Sequence, residues 1–205
     1  MGKRSDGTFE KAPRGFYKTP EEPILRLLPH IMDVDVFAEP MCGDGAISRV
    51  LENRGWDCGF LSDLEPQGSV RNRAYVLDVM DLEPDDVEGC DRIISNPPWP
   101  LRASKAERRK RGDPTVSIIR HTMGILPCWY LLAADFAHNT YAADVIRHCR
   151  KIVSVGRVRW IEGTDSDGKD NAAWYLFDLD YKGLPEFHPL APPSKLLHPS
   201  LGDIL

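Results

Sequence analysis

The sequence predicts an α/β sandwich on a mostly parallel sheet that closes with an antiparallel hairpin. Three observations carry this. Short apolar runs alternate with segments of helical period from residue 19 to residue 149, an order that implies parallel pairing through crossovers. Two β-rich stretches, 151–163 and 172–180, then flank the polar stretch GTDSDGKDN and read as a hairpin, the antiparallel edge that mixed sheets often carry. A length of 205 residues with 42% hydrophobic and 28% charged residues suits one domain with a real core.

Residues 1–15 are polar, without periodicity, and are expected to form a mobile arm. Thr19, Pro20 and Glu22 fit a helix start with Thr19 as N-cap. Ile24, Leu27, Leu28 and Ile31 then repeat at helical spacing; Pro23 costs the helix one early hydrogen bond and Pro29 shortens it. Residues 34–40 read as a buried strand ended by the turn MCGDG, and Ile47, Val50 and Leu51 as a helix stopping at Gly55. Strands are expected over 58–66, 74–81 and 90–100, a helix over 115–126, a fifth strand over 128–136 and a helix over 138–149. From Leu184 onward, five prolines in 22 residues predict extended packing or disorder. The expected organisation is an arm (1–15), a catalytic domain (16–183) and a Pro-rich tail (184–205).

Several classes are disfavoured. No apolar run reaches the roughly 18 residues that span a bilayer, and the polar N-terminus lacks the apolar stretch of a secretory signal. A soluble cytoplasmic protein without membrane contact is expected. Five cysteines, at 42, 58, 90, 128 and 149, contain no CxxC pair, so neither a disulfide framework nor an ordinary zinc site is expected. The six histidines show no paired ligand spacing near acids, and no metal is expected. The net charge of −5 does not advertise nucleic acid, yet residues 102–111 hold six basic side chains: Arg102, Lys105, Arg108, Arg109, Lys110 and Arg111. Such a run suits phosphate contact with little sequence information, or a solvated loop.

Two constellations carry chemistry. In the first, Glu39-Pro40-Met41-Cys42-Gly43-Asp44-Gly45 lies between strand and helix, and its glycines permit a tight turn and close backbone approach to a ligand. Asp63 follows 18 residues after Gly45 at a strand end, about the spacing that sets a carboxylate on ribose hydroxyls; Glu65 is the alternative. Ser48 stands where GxGxxG has its third glycine, which speaks against a pyrophosphate site. The second constellation is Asn96-Pro97-Pro98-Trp99, after the apolar strand RIIS. Its prolines deny the strand ladder donors. The Asn96 amide oxygen and the Pro97 carbonyl become acceptors at the strands' carboxyl ends, suited to a planar amine, with Trp99 as a stacking face.

The order FYKTP, EPMCGDG, an acid ending the second strand, then NPPW, resembles class I S-adenosylmethionine-dependent methyltransferases. Among them it is similar to the adenine-N6 DNA enzymes of gamma-type order, including small phage-type proteins, over about Phe16 to Tyr181. The resemblance implies a Rossmann-like sandwich with a seven-stranded sheet and S-adenosylmethionine as cofactor. It implies that Glu39, Pro40, Gly43 and Gly45 border the methionine part and that Asp63 holds the ribose. Asp78 meets the adenine amine, with Asp81 as rival. Tyr17, Thr19 and Pro20 close over the methionine end. Asn96 and Pro97 grip the target amine, with Asn96 also among the residues at the cofactor, Pro98 fixes the chain's exit, and Trp99 stacks on the ring. The expected partner is nucleic acid, first of all DNA, in a bacterial or phage-infected cell. The short tail leaves no room for a target-recognition domain, so a partner supplying specificity stays open. Two alternatives remain: an acceptor that is a glutamine amide or an RNA base amine, and a non-catalytic cofactor- or DNA-binding protein. Cys128 opens the fifth strand instead of following the fourth, and is expected in the core rather than as a nucleophile.

Overall fold

A computed structural model describes residues 18–98, 112–160 and 170–190. Eight strands form one sheet: β1 (Val36–Glu39), β2 (Asp57–Asp63), β3 (Tyr75–Val76), β4 (Arg92–Ser95), β5 (Cys128–Ala133), β6 (Cys149–Arg157), β7 (Asn171–Phe177) and β8 (Glu186–His188). Their order is β3-β2-β1-β4-β5-β7-β6-β8. β1 pairs in parallel with β2 and β4, β2 with β3, and β4 with β5. β7 runs antiparallel to β5 and β6. The helices are α1 (Glu21–Leu27), α2 (Ala46–Glu52), α3 (Pro114–Thr122) and α4 (Ala143–Ile146). The fold is Rossmann-like, with strand order reversing between β1 and β4.

The period-2 rule sorts the central strands cleanly. Trp129, Leu131, Trp174 and Leu176 join Ile24, Leu27, Ile47 and Leu51 of α1 and α2 in one buried layer. Cys128, Tyr130, Leu132, Tyr175 and Phe177 join Val116 and Ile119 of α3 in the other. Burial on both faces explains why β5 and β7 read as nearly continuous apolar runs. Trp174 also donates its indole N–H to the Pro23 carbonyl at 2.8 Å, which ties α1 to β7. Cys128 is fully buried, and burial pushes its thiol up to about 12.

Several expectations need correction. The sheet has eight strands rather than seven. The tail opens with β8, which pairs in parallel with β6 from Lys151↔Glu186 to Val153↔His188, so the folded unit continues past residue 183. Pro185 and Pro189 bracket this strand, a placement an edge tolerates because no donor is demanded there; His188 packs edge-on to His30 with ring centroids 4.4 Å apart. α1 starts one residue later than expected, with Pro20 at the N-cap position and no side-chain cap. The third strand shrinks to two residues, and the expected helix over 138–149 divides into short 3₁₀ turns and α4. The β2–β3 and β3–β4 crossovers carry only 3₁₀ turns, among them Gly68–Val70 and Val79–Asp81.

Candidate cofactor and acceptor site

The strand order reverses between β1 and β4, and this is where open α/β sheets bind ligands, at the strands' carboxyl ends. The loop after β1 is held there by backbone. Cys42 N–H donates to Ser62 O at 2.9 Å, and Gln67 N–H to Gly43 O at 2.9 Å. The Ser95 hydroxyl, at the end of β4, donates to Met41 O at 3.4 Å. Gly43 and Gly45 take φ of 55° and 70°, the left-handed region that favours glycine. Gly45 is also spatially required, since a Cβ there would lie 2.3 Å from Val70 Cγ1.

Asp63 closes this loop onto β2. Its Oδ2 accepts the Gly43 N–H and its Oδ1 accepts the Glu65 N–H, each at 2.8 Å. The carboxylate is half-buried at the strand's last position, where charge-assisted bonds hold it in one orientation. Asp78 lies two residues beyond β3 and accepts the Met80 N–H at 3.0 Å, capping its own 3₁₀ turn. Its rival Asp81, at the far end of that turn, is exposed. Leu64 and Met80, exposed by 62% and 44%, add apolar surface next to the two acids in sequence. Composition alone did not mark them.

The Glu39 side chain points inward. It is 1% exposed, and its Oε2 accepts the Ser48 N–H at 2.9 Å in the first turn of α2. The carboxyl is thus an internal cap, and Ser48, in place of a third glycine, supplies its donor. Burial pushes the Glu39 carboxyl well above its ordinary value of 4.5; Asp44 and Asp63 add to this and the Ser48 bonds oppose it. The folded chain therefore keeps a proton that the unfolded chain loses above that value. Stability from this group is full below pH 4.5 and declines as pH rises toward the folded pKa. Glu39→Gln mimics the protonated form and keeps an acceptor for Ser48. Its gain in Tm over the wild type is expected to widen from pH 4.5 to pH 8 in thermal unfolding scans. A gap that stays constant across this range contradicts the assignment.

At β4 the chain leaves the sheet through Asn96, half-buried, Pro97, buried, and Pro98, exposed. The Asn96 Nδ2 donates to Thr19 Oγ1 at 3.1 Å across 77 residues of sequence. Thr19 is 9% exposed, and its hydroxyl meets Asn96 instead of capping α1. Nearby, Lys18 and Arg49 approach Asp44 Oδ2 at 3.9 and 3.8 Å. The structure thus joins Gly43 to Asp63 and Thr19 to Asn96. Tyr17, Trp99, Arg102, Lys105, Arg108, Arg109, Lys110 and Arg111 lie outside the described residues. Among the described residues no group of three or more His, Cys, Asp or Glu side chains is placed to hold a metal ion. Nor is any helix there long and apolar enough to cross a membrane.

No family model and no curated protein matches the sequence. Solved structures do resemble the fold. A chain of a type I restriction-modification system has a TM-score of 0.53 at 13% identity, over 87% of this chain and 45% of its own. The type IIG restriction endonuclease BpuSI gives 0.59 at 13% identity, over 82% of this chain and 26% of its own. A candidate RNA methyltransferase from Pyrococcus horikoshii gives 0.50 at 15% identity, over 82% of this chain and 90% of its own. The chain therefore spans less than half of the first two. At these identities the likeness is one of fold.

Proposed function

We propose that the protein is an S-adenosylmethionine-dependent methyltransferase that methylates an exocyclic amine, with adenine N6 in DNA as the acceptor. The observation that carries this reading is the Asp63 carboxylate bonded to the Gly43 N–H at the end of β2, on the sheet edge that also presents Asn96-Pro97 after β4.

The residues present fit the cofactor by their chemistry. Asp63 is a fixed acceptor of the kind that ribose hydroxyls require. Gly43 and Gly45 let backbone come close to the methionine part, with Pro40 buried behind them. Asp78, on a neighbouring strand end, suits an adenine amine, and Leu64 and Met80 suit the faces of its ring. Glu39 ties the end of β1 to the first turn of α2. When bound, S-adenosylmethionine supplies an electrophilic methyl group on a sulfonium.

The chain's own part in transfer is positioning and charge stabilisation. An adenine amine is a weak nucleophile because its lone pair is delocalised into the ring. The Asn96 amide oxygen and the Pro97 carbonyl accept its two N–H groups, which favours a pyramidal nitrogen and stabilises the developing positive charge. Holding the amine in line with the methyl group supplies proximity. No prior deprotonation is required: the N–C bond would form as the sulfonium's C–S bond breaks, the neutral thioether would leave, and the resulting acidic N-methyl cation would then lose its extra proton to water. By their chemistry, Trp99 suits stacking on a flipped base, and Arg102, Lys105, Arg108, Arg109, Lys110 and Arg111 suit phosphates.

A second reading, an RNA base amine as acceptor, draws on one observation. The RNA methyltransferase candidate is covered over 90% of its length, against 45% and 26% for the restriction-system chains. The test for both is incubation with methyl-labelled cofactor and separate DNA, RNA and protein fractions, followed by digestion to nucleosides. Label in N6-methyldeoxyadenosine is the expected result. Label in a ribonucleoside moves the acceptor to RNA, and label in no fraction overturns the enzymatic reading.

A further inference from the structure

We infer that Thr19 is a positioning residue that sets the orientation of the Asn96 carboxamide, and thereby commits the site to acceptors that present N–H groups. The inference rests on the methyl-transfer reading above.

A carboxamide is nearly symmetrical in shape but not in chemistry: one limb accepts and the other donates. Packing cannot tell the two orientations apart, so a hydrogen bond must. Here the donor limb, Nδ2, is spent on Thr19 Oγ1 at 3.1 Å. The oxygen then lies on the opposite limb. The reversed amide would oppose N–H to N–H at an incoming amine, which loses a bond and adds repulsion. An acceptor without N–H donors gains nothing from the orientation the bond selects.

Thr19 can set an orientation only if it is itself fixed, and two features fix it. Its hydroxyl is not diverted into a helix cap, because α1 has no side-chain cap and Pro20 holds the N-cap position. The helix that follows is anchored in the core: Ile24 and Leu27 are fully buried, and Trp174 of β7 donates to the Pro23 carbonyl at 2.8 Å. The segment before α1 is thereby coupled through the helix to the centre of the sheet. The sequence expectation that Thr19 closes over the cofactor's methionine end gives a different role and a different outcome.

The test is Thr19→Val, which keeps the branched shape and removes the acceptor, beside Thr19→Ser, which keeps the hydroxyl. The valine variant is expected to lose about 10- to 100-fold in kcat, the scale set by one buried hydrogen bond. Its affinity for S-adenosylhomocysteine in calorimetry is expected to stay within about twofold, and serine to restore most of the kcat. In an Asn96→Ala background the valine change is expected to have no further effect on kcat, because a residue acting through Asn96 has nothing left to orient. An unchanged kcat in Thr19→Val overturns the inference. Lost cofactor affinity with kcat intact also overturns it, in favour of the methionine-end role. If the wild type methylates no acceptor, the methyl-transfer reading has failed, and the Asn96 side-chain amide resonances still decide the orientation. They are expected to shift in Thr19→Val and not in Thr19→Ser. No difference between the two variants overturns the inference by itself.

Discussion

Asn96→Ala is expected to lower kcat by about 10²–10³-fold, the loss typical of removing one preorganised hydrogen bond to a charge that develops in the transition state. In the proposed mechanism the amide oxygen interacts with the acceptor mainly as its nitrogen becomes positive, so turnover should suffer more than binding. Affinity for S-adenosylhomocysteine should stay nearly constant, because the cofactor's ribose is assigned to Asp63, on β2, and not to β4. Folding should be little affected: Asn96 is half-buried, and its side-chain bond to the Thr19 hydroxyl is worth about 1 kcal/mol. Single-turnover measurement with saturating cofactor separates the two effects. Normal turnover in this variant would remove Asn96 from amine activation and overturn the mechanism.

The largest effect on stability is expected from Gly45→Ala. Alanine at φ 70° costs about 1–2 kcal/mol in a left-handed conformation. Its Cβ would also come within 2.3 Å of Val70 Cγ1 and 3.1 Å of Ser48 Oγ, and overpacking of this kind costs about 1–3 kcal/mol more. The sum, about 2–5 kcal/mol, is a large share of the 5–15 kcal/mol of a typical domain. The two parts are separable. Val70→Ala in the same chain removes the close contact but not the backbone strain, so the pair should recover part of the loss relative to Val70→Ala alone. Urea unfolding midpoints of the four proteins give the coupling. Full recovery would mean that the conformation at residue 45 carries no strain, and no recovery would mean that Val70 is not the obstacle.

Much of this was legible in the sequence, for identifiable reasons. The central strands announced themselves because both their faces are buried: CWYLLA and AAWYLF leave no polar residue to break the run, and the two-residue alternation of Trp129, Tyr130 and Leu131 becomes visible only when the two core layers are known. That Asp63 lies against the glycine loop was legible from spacing, because the chain from Gly45 through α2 and β2 has little freedom in length. The bond between Thr19 and Asn96 was not legible, since a Thr-Pro-Glu start is also a good local cap; tertiary geometry decided where the hydroxyl went. The inward turn of Glu39 was hidden for a similar reason: an acid before a glycine loop looks ligand-facing, and its bond to the Ser48 N–H depends on where α2 begins. β8 was missed because three residues between prolines carry no period, and its pairing depends on the open edge of β6.

The proposed hold of Asp63 on the ribose of S-adenosylmethionine is open to a calorimetric cycle. S-adenosylhomocysteine and an analogue lacking the ribose hydroxyls are titrated into the wild type and into Asp63→Ala, with circular dichroism confirming that both are folded. The loop bonds at Gly43 and Glu65 mean that the variant could weaken both ligands through loop movement alone, so the decisive quantity is the difference between them. The account predicts that the wild type binds S-adenosylhomocysteine and discriminates against the analogue, and that Asp63→Ala binds more weakly and no longer discriminates. Equal discrimination in both proteins would contradict it and remove Asp63 from the ribose; no binding to the folded wild type would contradict the cofactor assignment itself.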